Sequence, residues 1–150
     1  MDRIDKQILA QLQLDGRLSV TELAERVGLS LSPCHRRLKA LEDSGAIIGY
    51  KAQLNAPSIG LNFAALVFVT LKEGDRTAVS RFENEVKDLP HVILAQRLFG
   101  EPDFLLHIVA KDLAAFQSYY DSTLSALPYV KKLTSTIVMK DIVVDRVLPM

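Results

Sequence analysis

The sequence predicts an α+β chain in two parts: an N-terminal winged helix-turn-helix and a C-terminal ferredoxin-like βαββαβ sandwich. Three observations carry this prediction. Residues 1–45 hold three short stretches of helical period, and the second and third are separated by a brief turn entered through Gly28. The second half runs strand, helix, strand, strand, helix, strand in its apolar pattern. Between the two, Asn55-Ala-Pro-Ser-Ile-Gly60 has the composition of a linker. The expected division is therefore 1–54, with a linker strand at its end, then 55–61 as linker, then 62–150.

The elements follow in order. Asp2 can cap a first helix, with Asp5 three positions on, near the positive helix end. Ile4, Ile8, Leu9 and Leu12 then share a face, and Gly16 supplies a stop. Ser19-Val-Thr-Glu22 reads as a capping box ahead of Leu23, Ala24 and Val27, and Gly28 ends that second helix. A third helix begins after Leu29, capped by either Ser30 or Ser32. Pro33 is tolerated in its first turn, where its missing N–H would have no partner anyway. After Gly45, residues 46–54 read as short strands, a wing or a linker strand.

The third helix carries the most suggestive residues, LSPCHRRLKALE. Its Cys34 and His35 raise the question of a metal or a nucleophile. At 100° per residue, Cys34, Leu38 and Leu41 form one stripe, while Ser32, Arg36, Lys39 and Asp43 point the other way, with His35 and Arg37 on the flanks. Cys34 thus reads as a core position, where free cysteine behaves as a small hydrophobe. Neighbours on a helix do not face each other, so Cys34 and His35 form neither a nucleophile–base pair nor half of a zinc site. The outward residues are types that bond phosphates and base edges, and they begin at the helix N-terminus, where base contacts are made. A plain solvated basic face is the competing reading.

In the second half, 63–72 reads as a strand and 77–89 as a helix with Val79, Phe82, Val86 and Leu89 on one face. Strands follow at 92–99 and 104–110 around the turn Gly100-Glu-Pro-Asp103. Asp112 caps a helix through Leu127 that faces Leu113, Phe116, Tyr120, Leu124 and Leu127 inward, and 131–144 holds the last strand. The first strand, FAALVFVTL, barely alternates, so both faces of the sheet are expected to be apolar. Two helices cover only one of them, and a second copy, sheet against sheet, is the simplest cover for the other. The Gly100–Asp103 turn can hold a carboxylate on its N–H groups and an ammonium on Glu101 or Asp103. The same residues are ordinary hairpin-turn residues, and composition alone favours the plain turn. His91 opens a strand and reads as solvated; His107 reads as a structural strand residue.

Composition narrows the classes. With 150 residues, 49% hydrophobic and 24% charged, the chain can bury a core and is not a disordered one. Net charge is zero, yet residues 30–41 hold Arg36, Arg37 and Lys39 and no acid, a compact positive patch suited to a partner touched at one place. The single cysteine excludes an internal disulfide and fits a reducing cytoplasm. The charged residues directly after Met1 do not read as a secretory signal, and the longest apolar run, Phe63–Leu71, is too short to span a bilayer.

Taken together, several motifs resemble the Lrp/AsnC, or feast/famine, family of transcriptional regulators. They are Asp2-x-x-Asp5-x-x-Ile8-Leu9, Asp15-Gly16-Arg17, Glu22-Leu23-Ala24-x-x-Val27-Gly28-Leu29-Ser30, Arg36-Arg37-Leu38-x-x-Leu41-Glu42-x-x-Gly45-x-Ile47-x-Gly49-Tyr50, Gly100-x-x-Asp103-Phe104-Leu105-Leu106 and Leu127-Pro128. The resemblance covers nearly the whole chain. It implies a non-enzymatic, cytoplasmic regulator without a cofactor that binds double-stranded DNA through the third helix, at Ser30, Ser32, His35, Arg36, Arg37 and Lys39. It implies homodimers that assemble to tetramers or octamers, and an amino-acid effector bound between dimers. Gly100, Glu101 and Asp103 carry over to the effector site from the turn motif; Thr134, Ser135 and Thr136 carry over by position, from a neighbouring subunit. This sequence departs from the family at His35 and Ala40, which bears on the operator read, and at Glu101-Pro102, which bears on the effector. Siroheme decarboxylases on the same plan, and an architectural DNA-binding protein without an effector, are the alternatives. The former need histidines around a tetrapyrrole pocket, and the second half here has only His91 and His107.

Overall fold

The structure, a computed structural model, describes residues 1–72 and 74–150. It divides into two compact units: Met1–Gln53 together with Ile142–Met150, and Leu54–Asp141.

The first unit holds α1 (Arg3–Leu14), α2 (Val20–Val27) and α3 (Leu31–Asp43). Reciprocal capping boxes open the first two. Asp2 and Asp5 each accept the other's backbone N–H at 2.9 Å, and Ser19 and Glu22 do the same for α2. Gly28 closes α2 in the left-handed region, at φ 70, and so permits the sharp exit towards α3. Ser30 is the cap of α3, not Ser32, and its hydroxyl makes no capping bond. Ile8, Leu9, Leu23, Ala24, Val27, Cys34 and Leu41 form the core, with Leu38 and Ile47 packed beside it.

Two elements differ, within one chain, from their expected extent. Residues 46–54 form no ladder. A strand needs a partner, and among the described residues none pairs with this segment. It is anchored by Tyr50 instead, whose hydroxyl donates to Glu42 at 2.9 Å and whose ring lies 3.7 Å from where a Cβ on Gly16 would stand. The last strand, expected to hold 131–144, stops at Ile137, because its antiparallel partner runs out: Val138 donates to Ala64, one residue from the start of that strand. The tail from Ile142 groups with the first unit, where the Gln13 side-chain amide donates to the Leu148 carbonyl at 3.2 Å and accepts from its N–H at 2.5 Å.

The second unit is β1 (Phe63–Leu71), α4 (Arg76–Lys87), β2 (Val92–Arg97), β3 (Phe104–Ala110), α5 (Leu113–Ser122) and β4 (Val130–Ile137), the predicted βαββαβ order. The sheet is antiparallel in the order β2-β3-β1-β4. Ala65, Val67, Val69 and Leu71 face the helices and are buried; Leu66, Phe68 and Thr70 between them are only half-buried. Phe82, Val86, Phe104, Leu106, Ile108, Phe116 and Leu124 complete the core. The helix after Asp112 ends at Ser122 and is followed by a 3₁₀ turn, Leu124–Ala126. That break seats Leu124 and Leu127 in the core, while Leu113, expected inside, is half-exposed.

Cys34 is fully buried, and burial pushes its thiol pKa up, away from the reactive thiolate. A thiol-specific reagent such as DTNB is therefore expected to label it only after unfolding. Cys34→Ser should lower stability by roughly 1–3 kcal/mol, because its hydroxyl would lie unpaired in an apolar core, and Cys34→Ala should cost less. Rapid labelling of the folded protein would contradict this placement.

Candidate nucleic-acid interface and effector site

The outward face of α3 presents Ser32, His35, Arg36 and Lys39, all exposed, as is Ser30 just before the helix. The uncapped Ser30 hydroxyl adds a donor at the positive helix end, where anions bind well. Arg36 forms no ion pair among the described residues. Lys39 has only an exposed approach of 3.5 Å to Asp43, of a kind that contributes little. The donors on this face thus remain available to a partner.

Arg37, expected among the DNA contacts, is placed differently. Its Nη1 donates to Asp2 Oδ2 and to Asp5 Oδ1, both at 2.7 Å. The two carboxylates that cap α1 therefore also hold α3. The Asp5 backbone N–H first, and Arg37 second, hold the Asp2 carboxyl below its ordinary pKa; the same carboxylates raise that of Arg37. Sequence patterning gave no signal for this contact, because its partners stand 32 and 35 residues apart. Tyr50 is the other residue that reasoning from the sequence missed. Burial, and then the bond to Glu42, push its hydroxyl pKa up to about 12, so it remains a donor at neutral pH.

At the 100–103 turn, Gly100 has φ +128, a conformation that an L side chain rarely adopts, and the Glu101–Pro102 bond is cis. Asp103 is tied in three ways: its N–H donates to Val69, its carbonyl accepts from Leu98, and its Oδ2 accepts from Leu71 N–H at 2.8 Å. This aspartate builds the turn as well as facing a cavity of about 370 Å³ that it shares with Arg97, Leu98, Phe99 and Gly100. Glu101 is exposed. Thr134, Ser135 and Thr136 pair with Phe68, Val67 and Leu66 on β4. Strand β1 thus separates them from β3 and the turn, and a single chain does not bring the two groups together.

The remaining histidines have ordinary surroundings. His91 Nδ1 lies 3.0 Å from the Val109 carbonyl and its ring packs tilted against Tyr119, centroids 4.9 Å apart, so it is partnered more than the sequence suggested. His107 lies on the open sheet face, in register with Leu66. Among the described residues there is no cluster of His, Cys, Asp or Glu able to hold a metal, and no helix long and apolar enough to cross a membrane.

Comparison with known proteins agrees with both halves of this description. Residues 1–48 match the winged helix-turn-helix DNA-binding family, and residues 64–148 match the Lrp/AsnC ligand binding domain. The chain is 37% identical to the Bkd operon transcriptional regulator of Pseudomonas aeruginosa, over 100% of its own length and 98% of that protein. It is 39% identical to the leucine-responsive regulatory protein of Rhizobium meliloti, over 95% and 91%. A transcriptional regulator from Neisseria meningitidis, solved as a complex with L-Met, superposes with a TM-score of 0.94 at 38% identity, covering 99% of this chain and 96% of that one.

The Arg37 clamp has a pH signature. Because the Asp2 carboxyl is depressed in the folded state, its stabilisation is present above the ordinary carboxyl value of 3.8 and is lost as pH falls through the lower folded value. Arg37→Met is expected to lower the melting temperature at neutral pH by a few degrees. Between about pH 5 and pH 2 its stability should fall less steeply than that of wild type. Parallel acid-melting curves would remove the clamp from the account.

Proposed function

Since the chain belongs to the Lrp/AsnC family of DNA-binding transcriptional regulators, we propose that it reads operator DNA with the N-terminal half of α3 and changes DNA affinity or assembly when an amino acid binds its second unit. The observation that carries the DNA half is the outward face of α3. Ser32, His35, Arg36 and Lys39 are exposed on the second helix of the helix-turn-helix, and the one inward-leaning cation, Arg37, is held by Asp2 and Asp5. Arg36 and Lys39 contact phosphates or guanine edges; Ser30, Ser32 and His35 add bonds near the helix start. Arg37 acts as a positioning residue, setting the angle of α3 through α1.

The working form is a homo-oligomer in the cytoplasm, a dimer that assembles further to a tetramer or octamer. Support comes from the open sheet face, where Leu66, Phe68 and Leu105 are only half-buried and Leu94 is exposed. An apolar face of this kind is covered by a second sheet. Two-fold dimers match a pseudo-palindromic operator with half-sites about one helical turn apart. The amino-acid effector follows from the ligand-domain match and from the leucine-responsive and L-Met-bound relatives. Gly100, Glu101 and Asp103 from one subunit and residues 134–136 from another are the candidate contacts. Regulation is linkage: the amino acid shifts the equilibrium by the ratio of its affinities for the two states.

Arg36→Ala is expected to weaken operator binding roughly ten- to a hundredfold in a gel shift, or to relax one base position, as loss of a bidentate contact worth ~1–3 kcal/mol requires. Wild-type binding by this variant would remove Arg36 from the interface. Phe68→Lys, at a half-buried position on the sheet face away from the helices, should reduce the mass seen by light scattering to that of one chain. An unchanged mass would place the subunit contact elsewhere.

A further inference from the structure

The sheet face turned away from the helices carries a histidine among uncharged neighbours. His107 lies in the middle of β3 and is half-buried in the single chain. Register fixes its row across the sheet: Leu94 on β2, His107 on β3, Leu66 on β1 and Thr136 on β4. Residues paired across a sheet share a face, so this row lies on the open side with Leu66. The next row in one direction is Leu105 and Phe68, with Gln96 and Thr134 at its ends; in the other, Ala64 pairs with Val109.

None of these rows holds an acid. Among the described residues, register puts one other titratable group on this face: Lys132, exposed on β4 opposite Thr70, at the end of the sheet. Lys131 sits in the bulge beside it, and both are cations. Asp103, the acid nearest to His107 in sequence, is tied through Oδ2 to the Leu71 N–H at 2.8 Å. When two such faces meet about a two-fold axis, each chain brings the same set, so the second copy supplies no carboxylate either. Gln96 and Thr136 can bond a neutral imidazole, but an amide and a hydroxyl do not offset a full charge taken out of water.

We propose, resting on the sheet-to-sheet dimer above, that His107 links assembly to protons: two chains join by this face with both His107 side chains neutral, and they separate as pH falls, taking up two protons. Histidine is the side chain whose charge ordinarily changes between pH 5 and pH 8. In the single chain the ring is half-exposed and water can solvate its charge. Inside the contact an imidazolium would lie against Leu66 and Leu94, with lysines as the other charges on the face. The separated chains are therefore the state that binds protons. Association is at full strength above the histidine range and is lost as pH falls through it. Each chain brings one His107, so the contact holds two, and the linkage is second order in protons.

Dimer dissociation constants of the full chain, measured by mass photometry between pH 8 and pH 5.5, test it. The constant is expected to rise roughly a hundredfold over this interval, as two histidines that each shed a proton on joining require. His107→Leu should keep the dimer and make the constant nearly independent of pH. His107→Gln, neutral and polar, should flatten it likewise. His91→Gln should retain the wild-type rise, since that ring packs on α5 through Tyr119. Where the dimer is too tight to dilute apart, Leu66→Ala weakens the contact without adding a charge, and the same ratio is expected on that background. A constant that does not change with pH, or an equally steep rise in both His107 variants, would overturn the role of His107 and leave the dimer intact. A wild-type chain that stays single at pH 8 would overturn both.

Discussion

Burial of one stripe of α3 governs what the first unit can present to a partner. Cys34 and Leu41 lie against a core made by Ile8, Leu23 and Val27. Once they point inward, the 3.6-residue period sends Ser32, Arg36 and Lys39 outward. Arg37 falls on the boundary, and there it meets Asp2 and Asp5. The hydrophobic term fixes the rotation of α3 about its axis, and the ion pair fixes its docking on the start of α1. A cysteine beside a histidine thereby becomes one core residue and one surface residue, with no reactive pair between them.

The second unit follows a different constraint. Two helices cover one face of a four-stranded sheet, so the other face and both edge strands remain for other molecules. The open face carries Leu66, Phe68 and Leu105, each only half-buried. The β2 edge is bulged at Ile93, which interrupts its side-chain alternation. The chain passes between the units twice, through the linker before Phe63 and through the tail after β4. Gln13 holds that tail by both hydrogen-bonding groups of its amide.

Local signals were legible in the sequence and distant ones were not. The Asp2 cap, the Ser19–Glu22 capping box, the Gly28 exit, the inward stripe of α3 and the succession of strands and helices along the second half follow from local pattern alone, because each depends on residues close together in the chain. Within one chain the segment 46–54 forms no ladder, because apolar residues there describe a capacity to pair, while a ladder requires a partner at the right register. The last strand was drawn too long for the same reason, since its end is set by where β1 begins. Leu113 was misplaced by extending one helical period across a helix that breaks after Ser122. At the candidate sites, the residue types on α3 and in the 100–103 turn could be named from sequence. The second task of Arg37 and the three bonds that tie down Asp103 could not, because each joins separate elements.

Contact between the outer face of α3 and DNA can be read by labelling the histidines with diethyl pyrocarbonate, with and without operator duplex, and measuring each site by mass spectrometry. His35 is exposed on that face, while His91 and His107 belong to the other unit. The account predicts that operator DNA suppresses labelling of His35 and leaves that of His107 as it was in the DNA-free oligomer. Equal labelling of His35 in the presence and absence of bound DNA would contradict it.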